Sequence, residues 1–363
     1  MKNPIELSTI SRYRGELMGA AMLFIILFHV YLPRTDMFFG LRRMGNVGVD
    51  IFFFLSGLGL WYSWTKLVSN LPSPSFSATL GKHPFGLSAG GAGGRVFGGG
   101  LLPSFYKRRY LRVYPAWLVM ACLFYIPDFI NHGGHSVSLV DLFGDILINW
   151  DFWLHDELTF WYIPATMMLY MVAPFYMMLI LRQPVYRWLP VAMIMWCVMV
   201  QWVLPIHDAV GHIEIFWSRV PIFFIGINMG EAVKRKDTLP AAAFWLLLLF
   251  FLLSFGSSVY LEQVRHGRFP LFVERMLYIP LTVTGILLLN MLLARLPGWV
   301  NYCLRFVGTI SLEIYLIHVH FVLHYIEPYR LGYWPTALLC IAITLPLAWL
   351  LHQILERIIK TIF

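Results

Sequence analysis

A single imidazole, His29, interrupts the apolar run AMLFIILFHVYLP, and a single carboxylate, Asp50, interrupts the next, NVGVDIFFFLSGLGLWYSW. An imidazole held beside a carboxylate is fixed in one tautomer and becomes a stronger base, the usual way to activate a hydroxyl. At about 1.5 Å of rise per residue, both groups lie roughly 6 to 8 Å below the same face. Consecutive helices joined by a short loop are usually neighbours, so this reading pairs His29 with Asp50. Trp161 in LTFWYIPATMM, Arg219 in IFWSRVPIFF, Arg275 in FVERMLY and His318 in SLEIYLIHVHF fall within about two turns of that level. Anchoring at a membrane boundary is the plain alternative for each, and for Arg275 it is the stronger one. Ionisable groups inside a membrane are costly and point to function, His29 and Asp50 most of all.

A second cluster occupies SFYKRRYLRVYPAW, residues 104–117. The third apolar helix is expected to begin near residue 111, with Arg108, Arg109 and Arg112 at one-turn spacing at its start and Pro115 in its first turns. Guanidinium forks beside a helix N-terminus suit phosphate, and topology-setting charge is an equal alternative. The segment HVHFVLH places only His320 and His324 on one face and supplies no acidic third ligand, so no metal site is expected. Cys122, Cys197, Cys303 and Cys340 all sit in apolar runs without CxxC spacing and read as packing residues.

These groups must be positioned by elements of a particular kind. With 59% hydrophobic and 13% charged residues, and a mean hydropathy of +0.69, the chain lies outside the range of soluble globular domains. Apolar runs near 16–33, 45–65, 111–130, 159–181, 187–206, 216–233, 240–261, 273–295, 301–323 and 333–355 are each about the length of a membrane-spanning helix. They do not alternate polar with apolar residues, which excludes barrel strands. The expected fold is all-α: a polytopic membrane protein of about ten transmembrane helices in a single membrane domain. The first run lacks a small-x-small exit and reads as a retained helix, not a cleaved signal. The chain ends soon after the last run, so any further domain is expected on a separate chain.

The formal net charge of +8 is explained by topology. With the N-terminus in the cytoplasm, cytoplasmic segments hold about 18 Lys and Arg and the opposite face about six, the positive-inside pattern; nucleic acid is not an expected partner. Residues 69–104, rich in Gly, Ser and Pro, read as a flexible cytoplasmic insertion, with no strand before the glycines and no GK[ST] after them. The outer segment NHGGHSVSLVDLFGDILINWDFWLHDE has acids but no Lys or Arg. It would suit a neutral, hydroxyl-rich ligand, although an ordinary solvated loop is the more common case.

Taken together, LFHV, GVDIFFFLSG, FYKRRYLRVYPAW and SLEIYLIHVH, in this order over nearly the whole chain, resemble the acyltransferase-3 family of bacterial integral-membrane acyltransferases. The resemblance implies transfer of an acyl group, usually acetyl from acetyl-CoA, to a hydroxyl of a cell-surface or lipid-linked glycan in the inner membrane, with both termini cytoplasmic. It implies an essential His29, with Asp50, Ser56, Arg109, Arg112, Tyr315 and His318 at the other family positions; acyl-CoA is the donor substrate and no cofactor stays bound. The family's arginine eleven places before the histidine falls here on Met18, and Arg14, one turn earlier on nearly the same face, is the candidate replacement. The expected chemistry is proton removal by His29 oriented by Asp50, or acylation of His29 itself, with Ser56, Tyr315 or Arg219 as candidate oxyanion donors. A transporter or flippase, whose buried charges line a solute path, is the competing class, and a non-catalytic subunit of a glycan-assembly complex is the third.

Overall fold

The computed structural model describes residues 4–69 and 101–362, so most of the expected insertion lies outside the described residues. Every expected apolar run falls on a helix. In chain order these are α1 (Arg14–His29), a short α2 (Phe39–Arg43), α3 (Val47–Ser69), α4 (Leu101–Ile130), α5 (Leu139–Ile148), α6 (Tyr162–Arg182), α7 (Leu189–Trp202) and α8 (Val220–Arg235). They continue with α9 (Ala243–Val264), α10 (Leu271–Leu293), α11 (Gly298–Thr309), α12 (Ser311–Ile317) and α13 (Tyr333–Ile362). One two-residue antiparallel ladder, Ile5–Glu6 with Thr238–Leu239, ties the N-terminal segment to the turn after α8.

The protein is therefore an all-α polytopic membrane protein, but the expected count of ten spans is not reached. Among the described residues six helices are long and apolar enough to cross: the continuous Phe39–Ser69, α4, α6, α9, α10 and α13. Two bent pairs, Pro184–Trp202 with Leu204–Trp217 at 97° and Gly298–Thr309 with Ser311–Tyr329 at 62°, raise this to eight. The remaining two runs form α1 and α8, of 16 residues each, which rise about 24 Å and fall short of a hydrocarbon core about 30 Å thick.

The third helix also differs from expectation. It is already helical at Leu101, where the described residues resume, because KRRYLR contains good helix formers and nothing that breaks a helix. Arg108, Arg109 and Arg112 therefore sit two to three turns inside α4, and Pro115 lies mid-helix. Any phosphate affinity there comes from guanidiniums and not from a helix terminus. Of the cysteines, Cys197 and Cys340 are buried as expected of packing residues, while Cys303 is exposed.

Lipid tails are as apolar as leucine, so helices in a membrane associate through close packing of small residues. The α3–α8 pair follows that rule. A Cβ at Gly57 would land on the Phe223 carbonyl, and one at Gly226 would land on the Phe54 carbonyl. Gly19 meets the Leu304 carbonyl of α11 in the same way. These contacts draw α3 onto α8 and α1 onto α11, and the main core runs through α1 and α3. Replacing Gly57 by Val is expected to force α3 from α8 and cost at least about 1–3 kcal/mol, read as a lowered Tm in detergent micelles.

Candidate active site

α1 ends at His29, and its last carbonyls would be left without partners if nothing reached them. Arg42 of α2 fills that role, donating from Nη1 to the carbonyls of Phe28 at 3.0 Å and Val30 at 2.8 Å, on either side of His29. The Tyr333 hydroxyl donates to the Leu27 carbonyl at 3.0 Å. A guanidinium at a helix C-terminus also complements the helix dipole. The end of α1 is thus held by two side chains that the sequence reading had not assigned to the site.

His29 does not meet Asp50. Among the described residues no hydrogen bond or ion pair joins them; the imidazole of His318 takes that place. His29 Nδ1 lies 2.9 Å from the Ile25 carbonyl and 3.2 Å from His318 Nε2, with ring centroids 4.9 Å apart. The acceptors assign the tautomers. Carbonyl oxygens only accept, so His318 Nδ1, 2.9 Å from the carbonyls of both Ile314 and Tyr315, carries the proton. His318 Nε2 is then a lone pair facing His29 Nδ1, which carries its own proton toward Ile25 and His318. His29 Nε2 is left unprotonated, the form a general base requires. His29 remains partly open, while His318 is fully buried. His318 also opens a π-helical stretch, His318–Leu323, an irregularity that recurs at functional sites.

Asp50 has a different partner. Its Oδ2 lies 3.4 Å from Arg219 Nη1, with both side chains 0% exposed, and Arg219 Nη2 donates to Asn46 at 3.3 Å. The expected dyad fails because the short connection through α2 and a 3-10 turn, Met44–Asn46, directs the first turn of α3 toward the start of α8. Asp50 and Arg219 clamp the two helices that pack through Gly57 and Gly226. Arg275 is also paired, with Glu214 at 3.0 Å.

Other expected residues converge on a line leading to the histidines. The Tyr315 hydroxyl accepts from the backbone N–H of Tyr162 at 3.3 Å, and its ring lies 5.2 Å from the Tyr162 ring and 6.0 Å from His318. Ser56 is buried in α3, and its side chain, with that of Thr166, lies beside the Tyr162 hydroxyl. Trp161, one residue away, immediately precedes α6 and packs on Phe53 and Phe152 at 6.2 and 6.4 Å. The polar residue on this line is therefore Tyr162, which the sequence reading passed over. Tyr162, Thr166 and Tyr170 recur at i, i+4 and i+8 in an otherwise apolar helix, a spacing that could have revealed them.

At the far end of this stripe lie the guanidiniums. Arg14 Nε donates to the Leu55 carbonyl at 3.3 Å, and its charge acts on Arg112, Arg109, Tyr162 and Tyr170. Arg109 donates to Ser63 Oγ. Arg14, Arg109 and Arg112 form no ion pair with any described residue. Three gathered cations without a carboxylate favour an anionic ligand such as phosphate. Arg14 and His29, at opposite ends of α1, are about 22 Å apart along its axis.

A bundle of apolar helices that encloses paired imidazoles near one end and, toward the other, guanidiniums with no carboxylate partner among the described residues is a polytopic membrane protein with a buried candidate site. Residues 19–353 match the acyltransferase-domain pattern of the acyltransferase-3 family, and the chain belongs to that family of membrane acyltransferases. No curated protein and no solved structure matches the chain.

Separating the roles of Asp50 and His29 gives a test. Asp50→Asn leaves a buried guanidinium unpaired and is expected to destabilise by about 3–5 kcal/mol. Asp50→Leu combined with Arg219→Met should recover Tm and a measurable transfer rate. A double variant that folds well but is inactive would return Asp50 to the catalytic apparatus.

Proposed function

We propose that this acyltransferase carries an acetyl group from acetyl-CoA to a hydroxyl of a cell-surface or lipid-linked glycan. In this reading it is a protein of the inner membrane with both termini in the cytoplasm. The observation that carries the proposal is the tautomer set by the His318–His29 contact, which leaves His29 Nε2 as a lone pair within a partly open site. The unpaired Arg14, Arg109 and Arg112 support a phosphate-bearing donor. They lie on the side that the positive-inside pattern assigns to the cytoplasm, where acyl-CoA is found.

In the proposed reaction the donor's phosphates rest among these arginines, and its acyl arm follows Tyr170, Thr166, Tyr162 and Tyr315 toward His29. The acceptor hydroxyl enters from the opposite face, past the segment 131–157, which carries acids but no Lys or Arg. A neutral polyol meets no repulsion there, whereas an anionic acceptor would. His29 Nε2 takes the hydroxyl proton as the oxygen attacks the thioester carbonyl. The tetrahedral intermediate then expels the thiolate, which recovers the proton from the imidazolium, giving an O-acyl ester and free CoA. His318 receives a stronger hydrogen bond from His29 Nδ1 once that ring is charged, and so stabilises the imidazolium. Ser56, Tyr162 and Tyr315 supply the hydroxyls nearest this line for the oxyanion.

Arg14 stands in for the family arginine missing at Met18, since it enters the arginine cluster one turn away. Its removal by Arg14→Ala should raise KM for acetyl-CoA about 10- to 100-fold, the worth of one charge-assisted hydrogen bond, with kcat little changed. Adding Met18→Arg to that variant should regain part of the loss. His29→Ala should lower transfer by at least about 10²–10⁴-fold in a purified assay with acetyl-CoA and a glycan acceptor, with folding unchanged. Intact surface polymer lacking acetyl in cells carrying this variant supports the enzyme, whereas loss of the polymer itself points to transport.

A further inference from the structure

The junction of α9 and α10 holds a cluster that acyl transfer does not use. Glu262 near the end of α9, His266 just after it and Glu274 in the first turn of α10 bring one ligand atom each to within 4.8 Å of one another. The two carboxylates are 1% and 2% exposed. Glu262 accepts from Arg43 Nε at 2.9 Å and lies 2.7 Å from His266 Nδ1 through its other oxygen. Glu274 Oε1 is buried with no hydrogen-bond partner among the described residues. Arg275, the adjacent cation in sequence, is turned away to Glu214.

A buried carboxylate oxygen without a donor is costly, and two such groups side by side repel one another. Arg43 supplies one positive charge against two carboxylates, so with a neutral imidazole the cluster keeps an excess negative charge. Two carboxylate oxygens and an imidazole nitrogen are a set that suits zinc, with a fourth position open to water. His266, with a side chain 23% exposed, gives the ion a route in from the surface.

We propose that Glu262, His266 and Glu274 bind a divalent transition-metal ion, with zinc the best match. The ion bonds to His266 Nδ1, to an oxygen of Glu262 and to the unpartnered Oε1 of Glu274. It displaces the hydrogen bond between His266 and Glu262, and the single proton of the neutral ring passes from Nδ1 to Nε2. The ligand atoms, now all within 4.8 Å of one another, settle about 3.3 Å apart, the separation implied by bonds of 2.0–2.1 Å in a tetrahedron, so the 2.7 Å contact of His266 with Glu262 opens slightly. Because Glu262 also holds Arg43 of α2, and the neighbouring Arg42 brackets His29, the ion would fix the α9–α10 hairpin against the helix that supports the end of α1.

The full chain, purified in detergent and stripped with a chelator, is titrated with zinc chloride against a chromophoric chelator. The expected result is one tightly held zinc per chain, with at least a tenfold loss of affinity in Glu274→Gln and in His266→Ala, and no change in His320→Ala/His324→Ala. Cobalt added to the unmodified chain should give the visible absorption of a tetrahedral ion, which keeps the test valid if either variant misfolds. The proposal is overturned by failure to bind one equivalent, as when the two carboxyls simply share a proton. It is equally overturned by binding that survives both site variants, or that is lost with His320 and His324.

Discussion

One hydrogen bond between two imidazoles organises this protein. It joins the end of α1 to the π-helical turn after α12, elements almost 300 residues apart, and it decides where the mobile protons reside. Because His318 is fixed by two backbone carbonyls, its remaining nitrogen can only accept, and His29 must then offer its own Nδ1–H and expose Nε2. Backbone carbonyls in helices do not titrate, so this orientation does not depend on a buried negative charge beside the base. A neutral orienting partner suits a site inside an apolar bundle, where a carboxylate would carry a large desolvation cost.

The charges that are buried do something else. Asp50 with Arg219, and Glu16 with Arg305 at 3.1 Å, bind helices whose backbones are already close through glycine. Losing Arg219 or Arg305 leaves a buried carboxylate, Asp50 or Glu16, without its cation, so the pairs penalise incorrect helix registers. The His29 end of α1 is further restrained by Arg42 and Tyr333, which satisfy carbonyls and not charges.

The membrane character, the helix positions and the membership of His29, His318, Tyr315 and Ser56 in one region could be read from the residue order, because apolar length and embedded polar groups are local signals. The partner of His29 could not. Depth along a helix is countable, but azimuth is set by packing, and the small-residue contact of α3 on α8 turned Asp50 toward Arg219. The start of α4 was misplaced because charged residues look like a boundary although they propagate a helix well. Tyr162 was overshadowed by its neighbour Trp161, and the Glu262–His266–Glu274 set is split across a turn that no periodicity predicts.

The brevity of α1 and α8 has a mechanical meaning. Helices of about 24 Å are shorter than a hydrocarbon core of about 30 Å, so their end groups must be satisfied by side chains of their neighbours, as Arg42 and Tyr333 do for α1. In the proposed transfer, donor and acceptor would meet among these shorter helices and not at the lipid boundary.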